Sequence, residues 1–200
     1  MKAVFKSVFI WVSGTASLAY LWAFGAGLCN PAYAKDFWTK QQLLSEHFHG
    51  SERVSYVRVR LDAEQRKRVE ARLGRGLPKD EYTFFVASSH GRADGYALFD
   101  EQLGQHEPIT FATFFDPEGR IQRVEVVAYR EPFGDGIRAQ RFRQQFVGRS
   151  GQSRFRPGDD IDSISGATIS SRSMCVGVER AAAIFDETIR RNAPAVLALR

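Results

Sequence analysis

The sequence predicts an α+β domain in which an antiparallel sheet packs against helices and a long helix lies at the C-terminal end. Between residues 81 and 129, segments rich in β-preferring residues alternate with short turns. Short links favour antiparallel hairpins, because a parallel connection needs about a dozen residues or more. From residue 169 to 191, apolar residues recur at helical spacing, and this predicts the long helix.

The first 34 residues predict an export signal. Lys2 and Lys6 give a positively charged start, and an apolar stretch follows from Val8 to about Leu28. The segment ends in Ala32-Tyr33-Ala34, the small-x-small form that signal peptidase reads. We therefore expect cleavage after Ala34 and a periplasmic or other extracytoplasmic location. The apolar stretch approaches the roughly 20 residues that span a bilayer, so an uncleaved N-terminal membrane anchor is the alternative.

The remaining chain is long enough for one domain with its own apolar core. Because Lys2 and Lys6 lie in the leader, the net charge of +5 falls to +3 after cleavage. This surplus comes from arginines spread along the chain, so we expect no nucleic-acid partner. Cys175 is the only cysteine beyond the leader, and a single cysteine cannot form an internal disulfide. Its place in the long helix predicts a buried thiol.

Residues 35–80 are interpreted as an N-terminal elaboration of the domain. A helix is predicted near residues 37–48, where Phe37, Leu44 and Phe48 share one face. A strand at 54–61 follows. A second, charged helix on the surface then begins after Asp62, with Gln65 as the partner of this N-cap, and Gly74 ends it.

From residue 81 the pattern changes to a meander of about four strands. The turns between them are indicated by His90-Gly91-Arg92 and by Asp116-Pro117-Glu118-Gly119. A short helix at 138–147 would direct Phe142 and Phe146 into the core, because they are four residues apart. The predicted strands span residues 82–88, 93–100, 109–115 and 121–129.

The last helix carries apolar residues at helical spacing, and Pro194 marks its end. Residues 81–191 are therefore interpreted as the main domain and residues 192–200 as a C-terminal tail. The apolar residues that define the buried face of this helix are Met174, Val178, Ala182, Phe185 and Ile189.

The segment before this helix reads Asp162-Ser163-Ile164-Ser165-Gly166-Ala167-Thr168, which places Thr168 at or near the N-cap. A helix N-terminus offers unpaired N–H groups and a positive dipole end, which suit a phosphate. Gly166 and Ala167 leave room for a bulky group, and the hydroxyls of Ser165, Thr168, Ser170 and Ser171 offer donors and points of attachment. The alternative is a simple helix cap, which is the common role of such a loop.

The run from Asp162 to Thr168 resembles the flavinylation motif of the FMN-binding domain family, which includes flavin subunits of the sodium-pumping quinone reductase and of the Rnf complex. The resemblance implies FMN joined to Thr168 through a phosphoester, by a dedicated FMN transferase that uses FAD and magnesium. It also implies that Ser165, Gly166 and Ala167 line the phosphate and that the transferase recognises Asp162.

Two upstream segments extend this resemblance to about residues 90–190. Family members often carry a Gly-Leu-Trp-Gly-Pro-Ile-like segment, and here Gly104-Gln105-His106-Glu107-Pro108-Ile109 stands at that place. They also carry a Glu-Thr-Pro-Gly-x-Gly run near the flavin, and here the run is Glu131-Pro132-Phe133-Gly134-Asp135-Gly136. His106 replaces the usual aromatic residue, and the proline is displaced by one position. The resemblance implies that His106 and Glu131 contribute to the flavin site.

A covalent link suits an exported flavoprotein, because a reversibly bound cofactor is diluted away outside the cytoplasm. The attached phosphate is a diester with one negative charge, which the helix start and Arg172 can offset. The more common role of an arginine such as Arg172 is that of a solvated helix residue. In such a protein the flavin supplies the redox chemistry and the protein positions it.

Other readings of the sequence are weaker. The histidines of the His47-x-His49 pair lack cysteine or carboxylate partners at ligand spacing, and Asp159, Asp160 and Asp162 lack the glycine turn and distant glutamate of an EF-hand. We expect no metal site and find no candidate catalytic residue. The leading hypothesis is an electron carrier for membrane or soluble redox partners. The alternatives are a flavin-dependent reductase of a small extracytoplasmic acceptor and a flavin-free exported binding module.

Overall fold

The computed structural model describes residues 35–191. The predicted export signal, the alternative membrane anchor, Pro194 as the helix end and the 192–200 tail lie outside the described residues. In chain order the elements are β1 (Lys35–Asp36), α1 (Lys40–His47), β2 (Arg53–Arg60), α2 (Ala63–Leu73), β3 (Glu81–Ser89), β4 (Arg92–Leu103), β5 (Pro108–Phe115), β6 (Ile121–Tyr129), α3 (Gln140–Arg143) and α4 (Thr168–Phe185), with 3-10 turns at Asp135–Arg138 and Gln144–Phe146 and a π-helical turn at Asp186–Arg190.

The strands form one six-stranded antiparallel sheet in the order β1-β6-β5-β4-β3-β2. The predicted meander is its centre, β3 to β6, which confirms the α+β class. The strand predicted at 54–61 is β2, and it extends the sheet beyond β3. Val57 and Val59 of β2 pack against the core, so the sheet continues across this strand.

The first helix begins later than the predicted residue 37. The backbone N–H groups of Phe37 and Trp38 donate to the carbonyl of Val127, at 2.8 and 3.4 Å, which keeps this segment extended along β6. The helix starts only after Thr39, whose side chain and that of Gln42 form a capping box. Phe37 packs against a different core from Leu44 and Phe48, so the predicted common face of these three residues is wrong.

The second helix has the predicted ends. Asp62 is its N-cap, with reciprocal hydrogen bonds to Gln65 of 2.8 and 3.0 Å, and Gly74 ends it in a left-handed conformation with φ of 64°. Val69 and Leu73 are buried, and most other side chains of α2 are at least partly exposed. The helix therefore lies on the surface with one apolar edge against the core.

Apolar side chains cover both faces of the sheet. Strand residues alternate between the faces, so neighbours such as Phe114 and Phe115 belong to different cores. The main core lies between the sheet and α2, α3 and α4, and includes the predicted pair Phe142 and Phe146, whose rings lie 5.4 Å apart. The smaller second core lies under α1 and consists of Leu43, Leu44, Phe48, Ala87, Ala97, Ala112, Phe114 and Val127.

The long helix α4 starts one residue after its N-cap, Ala167, so Thr168 is the first helical residue rather than the cap. The five apolar residues that predicted the helix are all buried. The helix passes into the π-helical turn at Asp186–Arg190, within the predicted span. Burial raises the pKa of the Cys175 thiol to about 12, so the thiol stays protonated, as expected of a structural residue.

Candidate cofactor site

The loop that ends at α4 is folded tightly against the rest of the domain. The side-chain amide of Gln145 accepts from the N–H of Asp162 at 2.7 Å and donates to the carbonyl of Asp162 at 3.3 Å. Two residues on, the N–H of Ile164 donates to the Ser171 hydroxyl at 3.2 Å. The loop therefore reaches the helix in a fixed conformation, with the side chains of Asp162, Ser165 and Thr168 exposed.

The structure reduces the number of hydroxyl groups at the start of α4 that could serve as an attachment point. Ser171 is fully buried and accepts from Ile164, and Ser170 is buried against Tyr129. These two serines, which the sequence offers as attachment points, are therefore used inside the fold. Ser165 and Thr168 keep exposed side chains, and Thr168 sits on the first turn of the helix itself.

The N–H groups at this helix start are free to bind an anion. The first helical N–H with a backbone acceptor belongs to Ser171, which donates to the carbonyl of Ala167 at 2.8 Å. Within residues 35–191, the N–H groups of Thr168, Ile169 and Ser170 donate to no backbone carbonyl, and no N-cap side chain accepts from them. With the positive end of the helix dipole, they form a seat for one phosphate beside the Thr168 hydroxyl.

The loop after β6 packs directly against this helix start. The Tyr129 hydroxyl donates to the carbonyl of Phe133 and lies 2.7 Å from the Ser170 hydroxyl. Burial raises the pKa of Tyr129, which keeps the phenol protonated and able to donate. Gly134 packs against the hydroxyls of both Tyr129 and Ser170. It has φ of 94°, and a Cβ atom there would lie 2.6 Å from the Ser170 hydroxyl. The Glu131–Gly136 run and the Thr168 motif therefore meet.

Glu131 joins the Gly104–Ile109 segment to the same helix start. Its buried carboxylate accepts from the N–H groups of His106 and Glu107, at 2.8 and 3.2 Å. A Cβ atom on Gly104 would lie 2.5 Å from the Glu131 Oε1 atom, so the close approach requires glycine. The hydroxyl of Ser173 in α4 donates to the carbonyl of Leu103 at 2.7 Å. All three segments that predicted the site thus converge on the start of α4.

The three segments lie within a part of the chain that matches a known family. Residues 104–183 match the FMN-binding domain family. This confirms the resemblance inferred from the sequence, and the match includes every predicted site residue from His106 to Arg172.

A solved structure shows the same fold. NqrC from Shewanella oneidensis superposes with a TM-score of 0.51 at 16% sequence identity, over 76% of this chain and 87% of its own. A second solved structure, of a component of the Na⁺-translocating NADH-quinone reductase from Parabacteroides distasonis, gives a TM-score of 0.39 at 16% identity, over 76% and 82% of the two chains. No curated protein matches the chain.

The predicted site residues occupy different positions around the start of α4. Glu131 points inward and holds a turn, whereas the side chains of His106 and Arg172 are exposed. Asp162 is exposed and lines a cavity of about 240 Å³ together with Arg141 and Gln145. The contacts of these residues with a flavin or a transferase remain predictions.

Sequence reasoning missed Tyr129 and Gln145, which position the site. Tyr129 ends a strand whose last six residues are all buried, and Gln145 lies in a short helical segment. Each contacts the motif across a long stretch of sequence, Tyr129 to Ser170 and Gln145 to Asp162. A local pattern carries no signal for such contacts. The change from a turn-rich loop to helical periodicity predicted where the motif ends, at Thr168, but not the residues that contact it.

Residues 35–191 contain no helix with both the length and the apolar character needed to cross a bilayer. They also contain no group of three or more histidine, cysteine, aspartate or glutamate side chains placed to hold a metal ion. Asp160 instead forms a salt bridge with Arg156 at 3.0 Å.

Replacing Gly134 with alanine is expected to lower the free energy of unfolding by about 2–3 kcal/mol, because left-handed strain adds to a steric clash. The added methyl group would meet both Ser170 and the Tyr129 hydroxyl, each 2.6 Å from the Cβ position. The control is Gly158→Ala, since Gly158 has φ of 82° and nothing within 4 Å of its Cβ position. Urea unfolding of both variants checks this, and equal losses would contradict the packing described for Gly134.

Proposed function

We propose that this chain is an exported flavoprotein that carries FMN covalently on Thr168 and relays electrons between redox partners. The observation that carries the proposal is the exposed Thr168 hydroxyl on the first turn of α4, beside three free N–H groups, inside a domain that matches the FMN-binding family. Flavin chemistry accepts and donates electrons, and the protein supplies position and tuning.

The attachment step suits the residues present. An FMN transferase would form a bond between Thr168 Oγ and the flavin-side phosphorus of FAD, while the pyrophosphate bond breaks, AMP leaves and the hydroxyl proton is released. The product phosphate would lie at the N–H groups of Thr168, Ile169 and Ser170. Such a helix start stabilises a negative charge by about 0.3–1 kcal/mol at an exposed site. Arg172 on the same first turns would add a positive charge nearby.

The exposed position of the site supports electron relay. Asp162, Ser165 and Thr168 all reach solvent, so a transferase can approach the motif and a redox partner can later approach the flavin. We infer that this partner is a membrane or soluble redox protein. The predicted N-terminal signal supports export, and a phosphoester retains the flavin where a dissociable cofactor would be lost by dilution.

Co-expression with an FMN transferase tests the proposal in one experiment. The exported protein is expected to be yellow, to remain fluorescent after denaturing electrophoresis, and to have the mass of a chain that starts at Lys35 with one FMN attached. The modification is expected to be absent in Thr168→Ala because that variant lacks the acceptor oxygen. It is expected to be retained in Ser165→Ala and in Thr168→Ser.

The outcomes separate the parts of the proposal. An unmodified wild-type chain would contradict the flavoprotein assignment and favour a flavin-free binding module. Modification that persists in Thr168→Ala would move the attachment to another hydroxyl. A chain that keeps its leader in the mass spectrum would replace the cleaved signal with a membrane anchor.

A further inference from the structure

Phe133 is the most exposed large hydrophobic side chain in residues 35–191, with 82% of its surface accessible. It lies in the loop that packs against the start of α4. Isolated exposed hydrophobic residues are common on protein surfaces and need no explanation. Phe133 differs because hydrogen bonds hold its loop against Ser170, two residues beyond the proposed attachment residue Thr168.

The backbone on both sides of the ring is fixed. The carbonyl of Phe133 accepts a hydrogen bond from the Tyr129 hydroxyl, which is also bonded to Ser170. The next residue, Gly134, has φ of 94° and a Cβ position only 2.6 Å from the Ser170 hydroxyl. These contacts leave the loop little freedom to turn and bury the phenyl ring.

A second exposed apolar side chain lies at the same helix start. Ile169 is 49% exposed, follows Thr168 directly and precedes Ser170, the residue against which the Phe133 loop is held. Phe133 and Ile169 therefore lie in the two segments that meet at Ser170, and both side chains reach solvent. A flat apolar group tethered at the Thr168 hydroxyl would cover surface that is otherwise in contact with water.

We infer that Phe133 supplies the aromatic face on which the isoalloxazine of Thr168-linked FMN rests, and that Phe133 thereby limits access of small solutes to the flavin. The inference rests on the proposed function. An isoalloxazine is a planar aromatic system, and aromatic rings favour offset stacking. The ribityl chain separates this ring from the phosphate by several bonds, so the ring reaches beyond Thr168 toward neighbouring loops. A stacked flavin has one face covered, which favours exchange of electrons with a protein partner over reaction with a small acceptor.

The test compares FMN-loaded wild-type protein with Phe133→Ala and Phe133→Trp. An indole stacked on a flavin quenches its fluorescence by electron transfer, so Phe133→Trp is expected to lose most of the flavin emission. Removing the ring in Phe133→Ala is expected to shift the equilibrium between stacked and solvent-exposed flavin about twofold to tenfold toward the exposed form. Iodide should then quench the emission of this variant more strongly.

Tyr56 provides the matched control because it is a 62% exposed aromatic residue on β2, at the opposite edge of the sheet from β1 and β6. Tyr56→Ala and Tyr56→Trp are expected to retain the wild-type emission and iodide quenching. Thermal unfolding of all four variants reports whether the fold is intact, and the high exposure of both positions predicts little change.

Each outcome is decisive. If the wild-type protein carries FMN and the Phe133 variants match the Tyr56 variants, the inference is overturned while the proposed function stands. If Phe133 variants change only the binding of a redox partner, the ring belongs to a protein interface and the inference is again overturned. If the wild-type protein carries no FMN, the proposed function fails and the inference fails with it.

Discussion

Replacing Arg180 with methionine is expected to lower the free energy of unfolding by about 3–5 kcal/mol, because it leaves a buried carboxylate without its main partner. Arg180 of α4 is 5% exposed and donates twice to Asp100 of β4, at 3.0 and 2.7 Å. It also donates to the carbonyl of Glu101 at 2.7 Å. In the variant, Asp100 would keep only Lys79, whose ammonium group is 2.8 Å away and partly exposed. The contact between Arg180 and Asp100 fixes α4, the helix that begins at Thr168, against the sheet.

Arg75→Ala is the control for the Arg180 prediction, since Arg75 pairs with Glu179 on the outer side of the same helix. A partly exposed pair of this kind contributes about 0.2–1 kcal/mol. The double variant Asp100→Leu with Arg180→Met removes both charges and is expected to recover part of the loss. Denaturant unfolding followed by circular dichroism measures all three, and a loss for Arg180→Met no larger than that for Arg75→Ala would contradict the prediction.

Phe185→Ala is expected to lower the free energy of unfolding by about 3–5 kcal/mol, because it opens a cavity in the main core. Phe185 is the last residue of α4 and has no exposed surface. Its ring stacks on Phe115 with centroids 4.7 Å apart and meets the edges of Tyr96 and Phe84 at 5.2 and 5.8 Å. Phe185 therefore fixes the far end of the helix against three strands.

The thermal midpoint of Phe185→Ala measures this loss, with Phe185→Leu as the conservative control. Leucine fills part of the space, so its loss is expected to be smaller than that of alanine. Equal losses in the two variants would mean that the aromatic contacts, and not the filled volume, determine the stability at this position.

Much of the fold could be predicted from the sequence because its signals are local. The strand predicted at residues 121–129 is β6, with the same bounds. Its start is predictable because Asp116-Pro117-Glu118-Gly119 marks the preceding turn. The cap residue Asp62 and its partner Gln65 likewise fix the start of α2 within four residues of sequence. Short-range hydrogen bonds and hydrophobic periodicity leave recognisable patterns.

The rest of the fold depends on contacts between distant residues. The late start of α1 follows from hydrogen bonds between Phe37 and Val127, which no pattern near residue 37 reveals. In the same way, Tyr129 and Ser170 are separated by 41 residues, and Arg180 and Asp100 by 80. Residues in such pairs meet only when the chain has folded. The sequence therefore predicted the position of the Asp162–Thr168 motif but not the contacts that fix it in the fold.

The most direct test of the central claim is the identification of the modified residue. Trypsin does not cleave before proline, so the Arg156-Pro157 bond survives and digestion releases residues 155–172 as one peptide. After co-expression with an FMN transferase, fragmentation of this peptide is expected to place one FMN on Thr168. FMN on Ser163 or Ser165, or a peptide without FMN, would contradict Thr168 as the attachment site.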